Sequence, residues 1–86
     1  MQSKLSFLVL NVCGLVSKID IPEFQELCRS RDILCFSETK CDDIDIINVE
    51  KVFGELGFKL IAENRHMQKR KSGGILLCIK ENIYRN

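Results

Sequence analysis

Short aliphatic runs, each closed by a glycine or a polar residue, limit this chain more than any other feature. Leu5 to Val12 ends at Cys13-Gly14, Ile33 to Ser37 is apolar without alternation, and Ile75 to Ile79 follows the glycine pair at 73 and 74. Runs of this length bounded by turn residues fit strands better than helices. The unbroken run at Ile33 to Ser37 is the pattern of a strand covered on both faces. None approaches the roughly 20 apolar residues of a membrane-spanning helix, so a transmembrane segment is excluded. Lys4 and the apolar run after it superficially resemble a signal peptide. Asn11 interrupts the run, however, and no small-x-small cleavage pattern follows.

Between the first two runs, Ile21, Phe24, Leu27 and Cys28 recur at helical spacing, with Asp20 as an expected N-cap and Glu23 in the position of a capping box. Strand, helix and strand within some thirty residues make a βαβ unit with parallel strands. Thr39 to Ile46 reads as an acidic loop. Val49, Val52, Phe53 and Leu56 then predict a second helix, with Asn48 as a possible cap and Gly57 as its stop. Phe58, Leu60 and Ala62 alternate with Lys59, Ile61 and Glu63. This strand and the run from Ile75 are expected to pair antiparallel across a basic connection. The fold class is α/β, and 86 residues allow one small domain with a thin core.

The net charge of +1 conceals a segregation along the chain. Glu38, Asp42, Asp43, Asp45 and Glu50 face a single base, Lys40, whereas Arg65, Lys69, Arg70 and Lys71 crowd a later segment. Asp42, Asp43 and Asp45 lack the glycine and glutamate of a calcium loop. The five cysteines form no CxxC pair and have no histidine at zinc spacing. Cys13, Cys35 and Cys78 lie in apolar runs, as small buried hydrophobes do. Reduced thiols in an intracellular protein are the reading that follows.

In open α/β sheets, functional groups gather beyond the carboxyl ends of parallel strands. Asn11 ends the first predicted strand and Glu38 follows the second, so neighbouring strands would bring an amide and a carboxylate together. Hard cations such as Mg²⁺ take one or two carboxylates, water and substrate phosphate. Spacing alone favours a turn-starting Asn and a loop-capping Glu, because polar residues at strand ends are common. Arg65, Lys69, Arg70 and Lys71 could contact backbone phosphates, or form a solvated loop tip. Ser72-Gly73-Gly74 is a turn admitting the next strand, or a close approach for phosphate.

Four blocks carry a resemblance: Phe7-Leu-Val-Leu-Asn-Val-Cys-Gly-Leu, Ile33-Leu-Cys-Phe-Ser-Glu-Thr-Lys, Gly57-Phe-Lys-Leu, and Lys71-Ser-Gly-Gly-Ile-Leu-Leu-Cys-Ile-Lys. In this order, spanning nearly the whole chain, they resemble the opening of the endonuclease/exonuclease/phosphatase superfamily, and within it the endonuclease domains of non-LTR (LINE-type) retrotransposons. The resemblance implies the N-terminal portion of a four-layer α/β sandwich, here a mixed sheet with a βαβ unit and two helices. It implies a Mg²⁺- or Mn²⁺-dependent phosphodiesterase acting on DNA or RNA. Asn11 and Glu38 would be catalytic and metal-binding, and Arg65, Lys69, Arg70 and Lys71 would meet nucleic-acid phosphates. A nuclear location and a reverse transcriptase partner domain would accompany a retrotransposon endonuclease.

The chain departs from that pattern by length. The family's later half supplies an Asp/Asn pair, further acids and a C-terminal His, and His66 falls too early to be that histidine. Residues 1–86 are therefore expected to be an incomplete domain that needs its missing C-terminal part for activity. Two other readings stay open: another superfamily member, such as a repair endonuclease or a phosphoinositide phosphatase, or a non-catalytic intracellular binding module that keeps the scaffold.

Overall fold

The apolar runs form the strands of one mixed sheet. The computed structural model describes residues 4–64 and 73–85. The elements are β1 (Phe7–Asn11), α1 (Pro22–Arg29), β2 (Ile33–Ser37), α2 (Asp43–Glu55), β3 (Phe58–Asn64), β4 (Ile75–Lys80) and a single-turn α3 (Glu81–Tyr84), which was not expected. The strand order is β1-β2-β4-β3. β1 and β2 are parallel, completing the βαβ unit, and β4 runs antiparallel to both β2 and β3. Among the described residues no helix is long and apolar enough to cross a membrane.

Helices cover one face. Leu34 and Phe36 of β2, Leu76 and Cys78 of β4 and Phe58 of β3 are buried beneath Cys28 of α1 and Ile46, Val49 and Phe53 of α2. Four rings run through this layer: Phe24 meets Phe36 at 5.6 Å, Phe36 meets Phe53 at 5.9 Å, and Phe53 meets Phe58 edge-on at 6.4 Å. Aromatic contacts at these separations add to the area they bury, and here they tie both helices to the sheet.

The opposite face differs from the sequence expectation. Ile33 to Ser37 was predicted to be covered on both sides, yet only Leu34 and Phe36 are buried. Registry places Val9, Cys35 and Leu77 in one cross-strand row and Phe7, Ile33 and Ile79 in another, all turned away from the helices. Phe7 is 56% exposed and Val9 74%. A continuous apolar run reports that both faces of a strand are apolar; it does not report whether the same chain covers both.

Three further corrections concern local structure. Asp20 does not cap α1. Ile21 occupies the N-cap, extended at φ −76° and ψ 122° as a residue before proline prefers, and no side chain caps it. The second half of the expected acidic loop is instead the first turn of α2. Asp42 is its N-cap, accepting from the Asp45 N–H at 2.8 Å while Asp45 accepts from the Asp42 N–H at 3.1 Å. This reciprocal box satisfies two orphan donors, and the acids sit at the positive end of the helix dipole. Cys13 is exposed and Cys35 half-buried, whereas Cys28, Cys41 and Cys78 are buried. Burial pushes the Cys28 thiol up to about 11, and burial with Cys28 and Glu50 nearby pushes Cys78 up to about 12. Both are inert packing residues.

In β3 the alternation breaks at a bulge. Leu60 pairs with Cys78 and Ala62 with Leu77, so Ile61 is the extra residue and Ala62 shares the uncovered face with Leu77.

Candidate functional site

The carboxyl ends of β1 and β2 lie side by side, with Asn11 opposite Ser37 in the ladder. Beyond them the two loops remain joined. The Val12 N–H donates to the Ser37 carbonyl at 3.0 Å, Gly14 to Glu38 at 2.9 Å, and Leu15 to Thr39 at 2.9 Å. The start of β4 enters at the same end, where the carbonyls of Gly73 and Gly74 accept from the N–H groups of Lys40 at 2.8 Å and Thr39 at 3.3 Å. Gly73 has φ +64° and Gly74 φ +98°, a left-handed path that glycine takes without steric cost. The backbone of this pair thus anchors the loop after β2.

Three residues with side chains share that left-handed region: Cys13 at φ +48°, Glu38 at φ +51° and Lys40 at φ +55°. Each costs of order 1 kcal/mol, so the surrounding hydrogen bonds hold them there. Their concentration in two adjoining loops puts backbone strain where the candidate chemistry sits.

Asn11 and Glu38 meet, as their strand ends require. Asn11 Nδ2 donates to Glu38 Oε2, and Asn11 Oδ1 accepts from the Cys13 N–H at 3.2 Å. A carboxylate only accepts and a backbone N–H only donates, so the two contacts fix which way the amide points. Asn11 therefore orients the carboxylate, and both side chains are exposed. Among the described residues, no three His, Cys, Asp or Glu side chains converge as a metal cluster. Glu38 fits a one-carboxylate site for a hard cation, with the remaining positions left to water and phosphate.

The fold is similar to that of an AP endonuclease. That structure, from Archaeoglobus fulgidus, superposes with a TM-score of 0.67 at 21% identity over 88% of this chain. The chain spans 27% of the length of that AP endonuclease. No family model and no curated protein matches the sequence. The likeness establishes the fold, an α/β sheet that corresponds to part of the AP endonuclease.

Of the residues singled out in the sequence, Asn11 and Glu38 are brought together, and Arg65, Lys69, Arg70 and Lys71 lie outside the described residues. β3 ends and β4 begins at the site end of the sheet, since Asn64 pairs with Ile75 and Ile75 with Ser37. Sequence reasoning missed Cys13 and Lys40, whose Nζ lies 3.7 Å from the Cys13 sulfur. The signal was the adjacency of each to a candidate residue, without a glycine to announce the left-handed turn. A shallow depression along α1, lined by Pro22, Glu23, Gln25, Glu26 and Arg29, shares no residue with this site.

Proposed function

We propose that this chain is part of a metal-dependent phosphodiesterase domain of the retrotransposon endonuclease type, acting on DNA and lacking the groups for cleavage on its own. The Asn11–Glu38 contact at the ends of adjacent parallel strands, in a fold shared with an AP endonuclease, carries the reading. Glu38 supplies one carboxylate to Mg²⁺ or Mn²⁺. Asn11 holds that carboxylate in place, itself held by the Cys13 N–H. The bound cation would polarise a phosphoryl oxygen and stabilise charge developing on it. Arg65, Lys69, Arg70 and Lys71 would add sequence-independent phosphate contacts. Asn11 belongs to the row of the uncovered face that includes Ser37 and Ile75, so the groups that complete the site would come from whatever packs on that face. An intracellular, nuclear location and a reverse transcriptase domain in the same element belong to this reading.

Mn²⁺ titration followed by NMR line broadening tests it. Broadening is expected at Asn11, Val12 and Ser37 to Lys40, and it should vanish in Glu38→Gln. Absence of localised broadening would remove the metal site. Mg²⁺-dependent nicking of plasmid DNA by the 86-residue chain, lost in Glu38→Gln, would instead overturn its incompleteness.

The AP endonuclease likeness favours a second reading, a repair endonuclease. A duplex carrying an abasic analogue separates the two. Binding at least tenfold tighter than to intact duplex selects repair; equal affinity selects the retrotransposon type.

A further inference from the structure

Two side-chain contacts of equal sequence separation bridge the loops after β1 and β2. Asn11 reaches Glu38, and two residues further along each loop Cys13 meets Lys40, both across 27 positions. Cys13 and Lys40 thus flank the candidate metal site. The Lys40 side chain is half-buried, and its ammonium has a thiol for a partner at 3.7 Å. A thiol is a weak acceptor, so this exposed contact leaves most of the ammonium's donor capacity unused. Among the described residues Lys40 forms no ion pair, although Glu38 stands two residues away. Its backbone is fixed in the left-handed region by the bond from its N–H to the Gly73 carbonyl at 2.8 Å. A lysine held at a steric cost, with its ammonium at the exposed rim and paired with no carboxylate, has spare donors for an anion.

We propose that Lys40 is a phosphate-positioning residue. Its ammonium holds a non-bridging oxygen of a nucleic-acid phosphodiester beside the one at Glu38 and so sets the register of the strand across the site. The inference rests on the nucleic-acid reading above and adds a residue and a role to it. The ligand chemistry is a phosphate oxyanion, and the source is the polynucleotide backbone rather than free phosphate.

The test is fluorescence anisotropy of a labelled duplex titrated with the 86-residue chain at a series of KCl concentrations without divalent ions. Lys40→Ala should weaken binding several-fold and reduce the steepness of log K against log[KCl] by about 0.9, the value of one phosphate contact. Lys40→Arg should keep the slope, and Lys51→Ala, exposed on α2, should change neither quantity. Far-UV circular dichroism confirms that each variant is folded. A second measurement needs no substitution: duplex should slow alkylation of exposed Cys13 several-fold while that of half-buried Cys35 is unchanged. A slope indifferent to Lys40→Ala, or an unprotected Cys13 in the presence of bound duplex, overturns the inference alone. Failure of the unaltered chain to bind duplex overturns the nucleic-acid reading and this inference together. Competition by inorganic phosphate at the same phosphate concentration as the duplex assigns the site to a free anion and rejects the polymer.

Discussion

Asp32 shows what a single side chain contributes at the end of the sheet opposite the site. Its carboxylate accepts from the Ser6 N–H at 2.9 Å and lies 3.7 Å from the Lys80 ammonium, while its carbonyl accepts from the Lys80 N–H at 2.9 Å. One residue thereby connects the entry to β1, the entry to β2 and the exit of β4. The backbone bond from Ser6, ahead of the Ser6 hydroxyl and Lys80, holds the carboxyl below its ordinary value of 3.8. Because the folded value is the lower one, the stabilisation is complete above about 3.8 and disappears as pH falls through the folded value. Asp32→Asn should therefore unfold more readily at neutral pH yet lose less on acidification. Urea midpoints between pH 7 and 2.5 check this, and parallel acid limbs in the two proteins would show that Asp32 is not the group responsible.

Among elements, the start of α2 was poorly legible in the sequence, and this helix offers the cleanest measurement. Its first turn reads Asp-Ile-Asp-Ile-Ile, alternating acid with aliphatic at a strand-like period, and Ile44 and Ile47 point to solvent at 77% and 70% exposure. The buried set Ile46, Val49 and Phe53 is too sparse there to outweigh the misleading neighbours. The strands were legible because their runs were short, apolar and punctuated. Asn11 and Glu38 were legible because strand ends and pairing fix where such residues go. Cys13 and Lys40 were not, since their placement depends on left-handed backbone held by bonds between segments distant in sequence, Gly14 N–H to the Glu38 carbonyl and Lys40 N–H to the Gly73 carbonyl, information no local pattern carries. The capping box predicts that Asp42→Ala costs about 1 kcal/mol. Gly54 lies within the helix, and a Cβ there would meet nothing within 4 Å, so Gly54→Ala should gain about 0.5–1 kcal/mol. The two positions are separated by about 18 Å of helix, so their effects should add and nearly cancel in the double variant. Urea unfolding of the three variants measures all of this, and two changes of the same sign would refute the helix assignment.

At the scale of the molecule, the decisive property is that two helices cover one face of a four-stranded sheet whose other face is largely apolar. Across β1, β2 and β4 the rows Phe7-Ile33-Ile79 and Val9-Cys35-Leu77 carry no charge, the first reaching Lys59 only at the far edge strand β3, and β1 is an edge strand with unpaired backbone groups along its outer side. Sheets of this kind are stable when a second layer packs about 10 Å away, and an open apolar face with a free edge drives association when that layer is missing. The isolated chain should therefore self-associate at micromolar concentrations. Val9→Lys places one charge at the centre of β1, on the residue that is 74% exposed, so it removes almost no buried area while burdening both the face and the edge. Sedimentation velocity should show the variant monomeric where the unaltered chain is not, with the thermal midpoint moved by only a few degrees. A monomeric unaltered chain would mean that the face tolerates water. The completion of the Asn11–Glu38 site would then no longer be tied to a covering layer, because the force that brings such a layer to the rim of the site would be absent.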